Sequence, residues 1–254
     1  MRGIGQDNQH NRNRADRTWS SACIAMLLIA VLLLTAGCGY STSRKEEAEN
    51  RIFSVACIGD SLTYGVGVDD QISQSYPAVL GDILGPGYTV SGYGQDGAIV
   101  TSGRKRSYDR TDCYKESVIS HADILVVLLG LNDSKEYYWD GPVKFRAQYE
   151  NLLDSYLLRD RHTTILLCTC PDGLYIDGQT EGAARFNIDP SNARAINKVI
   201  REVAMDRKLP LVDLADLAAK HPEWFSGDGI HPDAAGYAAM AGMVGVMITR
   251  TEID

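Results

Sequence analysis

Ile124-Leu125-Val126-Val127-Leu128-Leu129 is a run of six consecutive apolar residues, and Gly130-Leu131-Asn132-Asp133 follows it at once. A strand with one face in water alternates apolar and polar residues. An unbroken run marks a strand buried on both faces, as in a parallel sheet covered by helices. Working outward from this run, Ile52 to Ile58 is a second β-rich segment that stops at Gly59, and Thr163 to Thr169 is a third. Tyr88-Thr89-Val90 and Leu209 to Val212 read as weaker strands. Helical spacing fills the intervals. Ser75 to Leu84 ends at the strong stop Gly85-Pro86-Gly87. Val143 to Arg159 places Phe145, Tyr149, Leu152, Leu153 and Tyr156 on one stripe. Ser191 to Arg207 and Ala234 to Ile248 complete the set. Strands alternating with helices predict an α/β fold: a three-layer sandwich with a central parallel sheet of about five strands and helices on both faces. Ligands of such folds bind beyond the carboxyl ends of the strands, so the loops there are the ones to read for chemistry.

Composition narrows the function classes. The chain has 254 residues, 44% hydrophobic and 23% charged, with a formal net charge of −8. That balance describes a globular protein and excludes collagen, a coiled coil and a disordered tail. The first 37 residues hold four arginines and two aspartates, so residues 38–254 carry 21 basic against 31 acidic groups, or −10. So acidic a body lacks the field that holds a phosphate backbone, which argues against nucleic acid as a partner. Six cysteines are too few for a disulfide scaffold and match no zinc spacing. The five histidines lie far apart, at 10, 121, 162, 221 and 231. Neither a metal nor an organic cofactor is expected.

Three strand-end loops and the approach to the last helix hold the reactive residue types. After the first strand comes Gly59-Asp60-Ser61-Leu62-Thr63, which puts Ser61 near a helix N-terminus, where developing negative charge is favoured. Asp60 or Ser61 serving as an ordinary helix cap is the other reading. Before the last helix comes Asp228-Gly229-Ile230-His231-Pro232. A carboxylate three residues ahead of a histidine can accept a hydrogen bond from one imidazole nitrogen. The other nitrogen is then free to take a hydroxyl proton, as in a serine–histidine–aspartate triad. Capping by Asp228 or Asp233 is the plain alternative. Asn132, after the third strand, can aim an amide N–H at an oxyanion, or can simply turn the chain. Gly92-Tyr93-Gly94-Gln95-Asp96-Gly97 offers backbone N–H groups after the second strand.

Taken together, Gly59-Asp60-Ser61-Leu62, Gly97, Gly130-Leu131-Asn132-Asp133 and Asp228-Gly229-Ile230-His231-Pro232 resemble the four blocks of the SGNH, or GDSL-type, hydrolase superfamily. The resemblance covers about residues 52–247 and implies a flavodoxin-like SGNH fold. It implies Ser61 as nucleophile, His231 as general base and then acid, and Asp228 as its orienter. It also implies an oxyanion hole made by the N–H groups of Ser61 and Gly97 with the Asn132 side chain. Members often carry an asparagine two residues before a glycine in the second block; here Gly94 competes with Gly97 for that role. Asp60, Asp133, Tyr137, Tyr138 and Trp139 are candidate substrate contacts. Aromatics beside a catalytic serine can stack on a sugar or pack an acyl chain, while packing within the loop is the plainer reading.

Asn132-Asp133-Ser134-Lys135 with Trp139, and Leu167-Cys168-Thr169-Cys170-Pro171, are similar to SGNH members that act as sialate or xylan O-acetylesterases. The expected function is therefore a serine esterase removing O-acetyl groups from carbohydrate. A lysophospholipase or short-chain lipase is the alternative within the enzyme class, and a non-catalytic surface glycan-binding lipoprotein is the alternative outside it. Arg104-Lys105-Arg106 could meet an acidic sugar or a lipid headgroup, or form a solvated face. Cys168 and Cys170 alternate on one strand, which suits packing better than redox pairing.

Arg2, Arg12, Arg14 and Arg17 precede an apolar run from Ala22 to Ala36 that ends in Thr35-Ala36-Gly37-Cys38. A basic segment, an apolar core and small residues mark an export signal. Small residues ahead of a cysteine resemble a bacterial lipoprotein signal, with Cys38 as the lipidated residue. The alternative is an uncleaved anchor, since no charge interrupts Thr18 to Ser43. Expected boundaries are a signal or anchor over 1–39, a polar tether over 40–50 and the hydrolase domain over 51–254, held outside the cytoplasm at the cell envelope.

Overall fold

The computed structural model describes residues 51–173, 185–225 and 227–251. The chain divides into two units, Met1–Arg51 and Ile52–Asp254, and the elements below belong to the second. The export signal, Cys38 and the tether lie outside the described residues. Among the described residues, no helix is long and apolar enough to cross a membrane.

Five strands form one parallel sheet: β1 Phe53–Gly59, β2 Tyr88–Gly94, β3 Ile124–Leu128, β4 Thr164–Cys168 and β5 Leu211–Val212. Their order is β2-β1-β3-β4-β5. The switch in winding direction therefore falls between β1 and β3, where doubly wound sheets open a crevice for ligands. Register aligns Gly59 at the end of β1 with Leu128 of β3 and Gly94 of β2, so three loops leave the sheet at one level. The helices are α1 Ser61–Tyr64, α2 Gln71–Gln74, α3 Tyr76–Leu84, α4 Asp112–Ile119, α5 Pro142–Leu157, α6 Pro190–Arg207, α7 Leu217–Lys220 and α8 Ala234–Arg250.

Period-two geometry divides the strand side chains between two cores. Val55, Cys57, Ile124, Val126, Leu128, Leu166 and Cys168 face Tyr76 and Leu80 of α3 and Tyr237, Met240 and Val244 of α8. Ala56, Ile58, Leu125, Val127, Ile165 and Leu167 face Phe145, Tyr149 and Leu153 of α5 and Ile196, Ile200 and Val203 of α6. Every residue of β3 is buried, as its uninterrupted apolar run predicts. The buried residues of α5 are the five of the predicted stripe.

Two elements differ from the sequence reading. β2 runs four residues beyond Val90, through Ser91-Gly92-Tyr93-Gly94, because it pairs with β1 over seven positions. Glycine has low strand propensity, but a β-carbon on Gly94 would lie 2.1 Å from the backbone nitrogen of Tyr64. The strand therefore tolerates glycine where α1 crosses it closely. Helix α4 was not evident because Asp112, Lys115 and Glu116 dilute its apolar face; the Thr111 side chain caps it by accepting from the Tyr114 N–H.

Candidate active site

The site is assembled from loops at the carboxyl ends of β1, β2 and β3 and from the segment that enters α8. Asp60 resolves the capping question: its Oδ1 accepts from the Leu62 N–H at 3.0 Å, so Ser61 is the first helical residue and keeps its hydroxyl free. Asp233 caps α8 by accepting from the Gly236 N–H at 2.9 Å, which leaves Asp228 available. One Asp228 oxygen accepts the backbone N–H groups of Ile230 and His231 at 2.9 and 2.8 Å. Its other oxygen lies 2.7 Å from His231 Nδ1. His231 Nε2 lies 2.9 Å from Ser61 Oγ, across 170 residues of sequence. The Tyr237 hydroxyl donates to the Val66 carbonyl at 2.6 Å, tying α8 to the loop that follows Ser61.

Electrostatics fixes the direction of this chain of bonds. Burial raises the Asp228 pKa, but the donors from His231 and Ile230 outweigh it and hold the carboxyl at about 2. An ionised Asp228 accepts the Nδ1 proton, which leaves Nε2 of the neutral ring as an acceptor for the Ser61 hydroxyl. Ser61 and His231 are each 7% exposed, enough to reach a ligand from a mostly dry setting.

Asn132 sits in a buried turn after β3, Leu131–Ser134, and its Nδ2 donates to Asp60 Oδ2 at 3.2 Å. A carboxamide nitrogen has two hydrogens, so one remains for an oxyanion while the other holds the orientation. Gly97 lies beyond the end of β2 with a φ of +68°, a left-handed conformation that suits glycine. The guanidinium of Arg106 occupies the space where its β-carbon would be, with Nη1 2.2 Å from that position. Gly94 is instead taken up in packing β2 against α1.

Asp60 and Asp133, expected among substrate contacts, are each 1% exposed and engaged within the protein. Asp133 accepts the N–H groups of Val100 and Thr101 at 2.8 and 2.9 Å and the Thr101 hydroxyl at 2.7 Å. It fastens the loop after β2 to the loop after β3, so its carboxylate is spent on loop geometry and not offered to solvent. Burial raises both carboxyls to about 6. The aromatic trio is divided. Tyr137 is 57% exposed, with its ring 4.5 Å from that of Tyr138. Trp139 packs on Phe145 at 6.2 Å. Tyr138 and Trp139 line a cleft of about 300 Å³ with Thr101, Arg104 and Gln148.

One neighbour of the site escaped the sequence reading. Phe186 sets its ring edge-on to His231 at 5.5 Å. Lys135 is half-buried just after Asn132. Phe186 carries no sequence signal, because it acquires its place only through folding, whereas Lys135 belongs to the Asn132-Asp133-Ser134-Lys135 block already read in the sequence. Cys57, Cys113, Cys168 and Cys170 are free thiols, and Cys57, Cys168 and Cys170 are buried core residues. Among the described residues, no cluster of three or more histidines, cysteines or carboxylates has a geometry that could hold a metal.

The model of the GDSL-like Lipase/Acylhydrolase family matches residues 57–239. An acetylxylan esterase from Xylanibacter ruminicola is 29% identical over 212 residues, which is 76% of this chain but 42% of the relative. The chain thus spans less than half the length of that relative. A lipase/acylhydrolase from Enterococcus faecalis superposes with a TM-score of 0.62 at 20% identity, over 80% of this chain and 99% of that one. A carbohydrate acetylesterase from Sinorhizobium meliloti superposes with a TM-score of 0.61 at 18% identity, over 78% and 99%. At these identities the two structures are evidence of shared fold.

Proposed function

This chain belongs to the GDSL-like lipase/acylhydrolase family, and from that premise we propose that it is a serine esterase that removes O-acetyl groups from carbohydrate. The observation that carries the reading is the continuous chain from Ser61 Oγ through His231 to an ionised Asp228, with contacts of 2.9 and 2.7 Å. Ser61 attacks the ester carbonyl while His231 Nε2 takes its proton. The tetrahedral oxyanion is met by the free hydrogen of Asn132 Nδ2 and by the N–H groups of Ser61 and Gly97. His231 returns the proton to the departing alcohol, and water repeats the sequence on the acetyl-enzyme. The likeness to an acetylxylan esterase favours an acetylated sugar as substrate. The basic and apolar residues before Cys38 support export and tethering to the bacterial cell envelope, by lipidation of Cys38 or by an uncleaved anchor.

The test is acetate release by the full chain and its Ser61→Ala variant, from acetylated xylan and from nitrophenyl esters of increasing chain length. Ser61→Ala should lose on the order of 10⁴–10⁶ in kcat. Hydrolysis that survives this substitution would overturn the mechanism, and a preference for long acyl chains would move the substrate to lipid.

A further inference from the structure

Two cations accompany the groups proposed to hold the oxyanion, and among the described residues neither has a carboxylate as an ion-pair partner. Arg106 lays its guanidinium on Gly97, filling the volume a side chain there would take. Its Nη1 donates to the backbone carbonyl of Asp96 at 3.3 Å, and not to that residue's carboxylate. Lys135 closes the turn that carries Asn132, its N–H donating to the Asn132 carbonyl at 3.4 Å. Among the described residues, no carboxylate lies within ion-pair distance of either side chain, whereas nearby Arg104 pairs with Asp140 at 3.5 Å.

The arrangement is electrostatically costly. Burial first, and then the charge of Arg106, pushes the Lys135 ammonium below its ordinary pKa, so the two cations lie within each other's field. Asp60 and Asp96 pull the other way without restoring the ordinary value. Burial itself favours a neutral Asp60 carboxyl. In a body carrying a formal excess of ten acidic groups, paired partners for two surface cations are plentiful. Two cations without an ion-pair partner among the described residues, one against Gly97 and one in the segment that closes the Asn132 turn, fit an anion that arrives with the substrate.

We propose that Arg106 and Lys135 form an anion-recognition subsite beside Ser61, selecting acylated sugars that also bear a carboxylate or phosphate group. The inference rests on the reading of Ser61 as the nucleophile. Arg106 offers a planar fork suited to either oxyanion, and Lys135 a point charge within its field. Both act as specificity determinants, by binding the sugar and not by entering the bond-breaking step.

The experiment compares kcat/KM of the full chain on three matched substrates: a singly acetylated methyl glucoside, its glucuronide and its phosphate ester. The wild type should prefer one or both anionic sugars by roughly 10-fold or more, the size of one charge-assisted hydrogen bond. Which anionic sugar is favoured separates carboxylate from phosphate as the natural group. Combined Arg106→Gln and Lys135→Gln substitution should bring the anionic-to-neutral ratio to near one, and added salt should shrink it in the wild type. Taking the ratio removes any general damage to the Gly97 loop, which would slow all three substrates together. Ser61-dependent hydrolysis with a wild-type ratio near one, or with a ratio the double variant leaves intact, overturns the subsite while the esterase reading stands. Absence of Ser61-dependent release from all three sugars and from nitrophenyl acetate overturns both.

Discussion

Replacing Asp228 by asparagine tests the direction of the proton path with little change in shape. The carboxylate does two jobs with two oxygens: one accepts the Ile230 and His231 N–H groups, and the other accepts from His231 Nδ1 at 2.7 Å. An asparagine keeps the first oxygen and both backbone bonds, so the loop entering α8 should hold, and losing the ionised form held at about 2 should cost on the order of 2 kcal/mol of stability at neutral pH. Its amide nitrogen then faces Nδ1 and can only donate. The ring must present an acceptor there, which moves its proton to Nε2, and Nε2–H can no longer take the Ser61 proton across 2.9 Å. Loss of the correct tautomer typically costs about 10⁴ in kcat, or roughly 5.5 kcal/mol of barrier. The assay is kcat on nitrophenyl acetate, with urea unfolding showing that both proteins are folded. A folded Asp228→Asn variant within about 10-fold of wild type would show that His231 does not serve as base through this tautomer.

Three further outcomes are expected. Asn132→Ala removes one of three oxyanion donors and should lower kcat by roughly 10²–10³ with little effect on KM; a raised KM with kcat unchanged would argue for a binding role instead. Asp133→Ala strands the buried Val100 N–H and the Thr101 N–H and hydroxyl. Urea unfolding should show a loss of about 3–5 kcal/mol, and a loss under 1 kcal/mol would mean the two loops hold without this clamp. Asp60 binds a proton more tightly folded than unfolded, its pKa rising from 3.8 to about 6 through burial. The folded state therefore carries the extra proton between those values, and this contribution to stability is lost as pH rises through about 6. Comparing urea stabilities at pH 4.5 and 7.5, Asp60→Asn should gain on wild type by roughly 2 kcal/mol at the higher pH, since about a third of the effect is already present at pH 4.5. A difference that is the same at both values would show that Asp60 is not perturbed.

Much of this protein was legible from short-range patterns. The six apolar residues of β3 and the five-residue stripe of α5 report burial directly, because a side chain's exposure follows the period of its own element. Ser61, Asn132, Asp228 and His231 were legible because strand-end loops are few and reactive residue types within them stand out. Both strand β2 past Val90 and helix α4 were obscured, since glycine-rich and polar stretches adopt regular structure only when a neighbour supplies pairing or a face to cover. Asp60 and Asp133 show the limit of reading by motif. Adjacency to Ser61 and Asn132 suggested contact with substrate, whereas hydrogen bonds to residues 72, 33 and 32 positions away turn both carboxylates inward.

The sequence by itself determined the longer apolar strands and helices, the parallel character of the sheet and the residue types able to form a serine–histidine–aspartate chain. Those properties depend on periodicity, turn chemistry and spacing within a few residues. Only the tertiary structure decided the strand order, the 2.9 Å contact between Ser61 and His231, the bond from Asn132 to Asp60 and the seating of Arg106 on Gly97. Each of these joins distant segments through directional contacts a few ångströms long. Such contacts exist only after burial of the two cores has fixed where every strand ends.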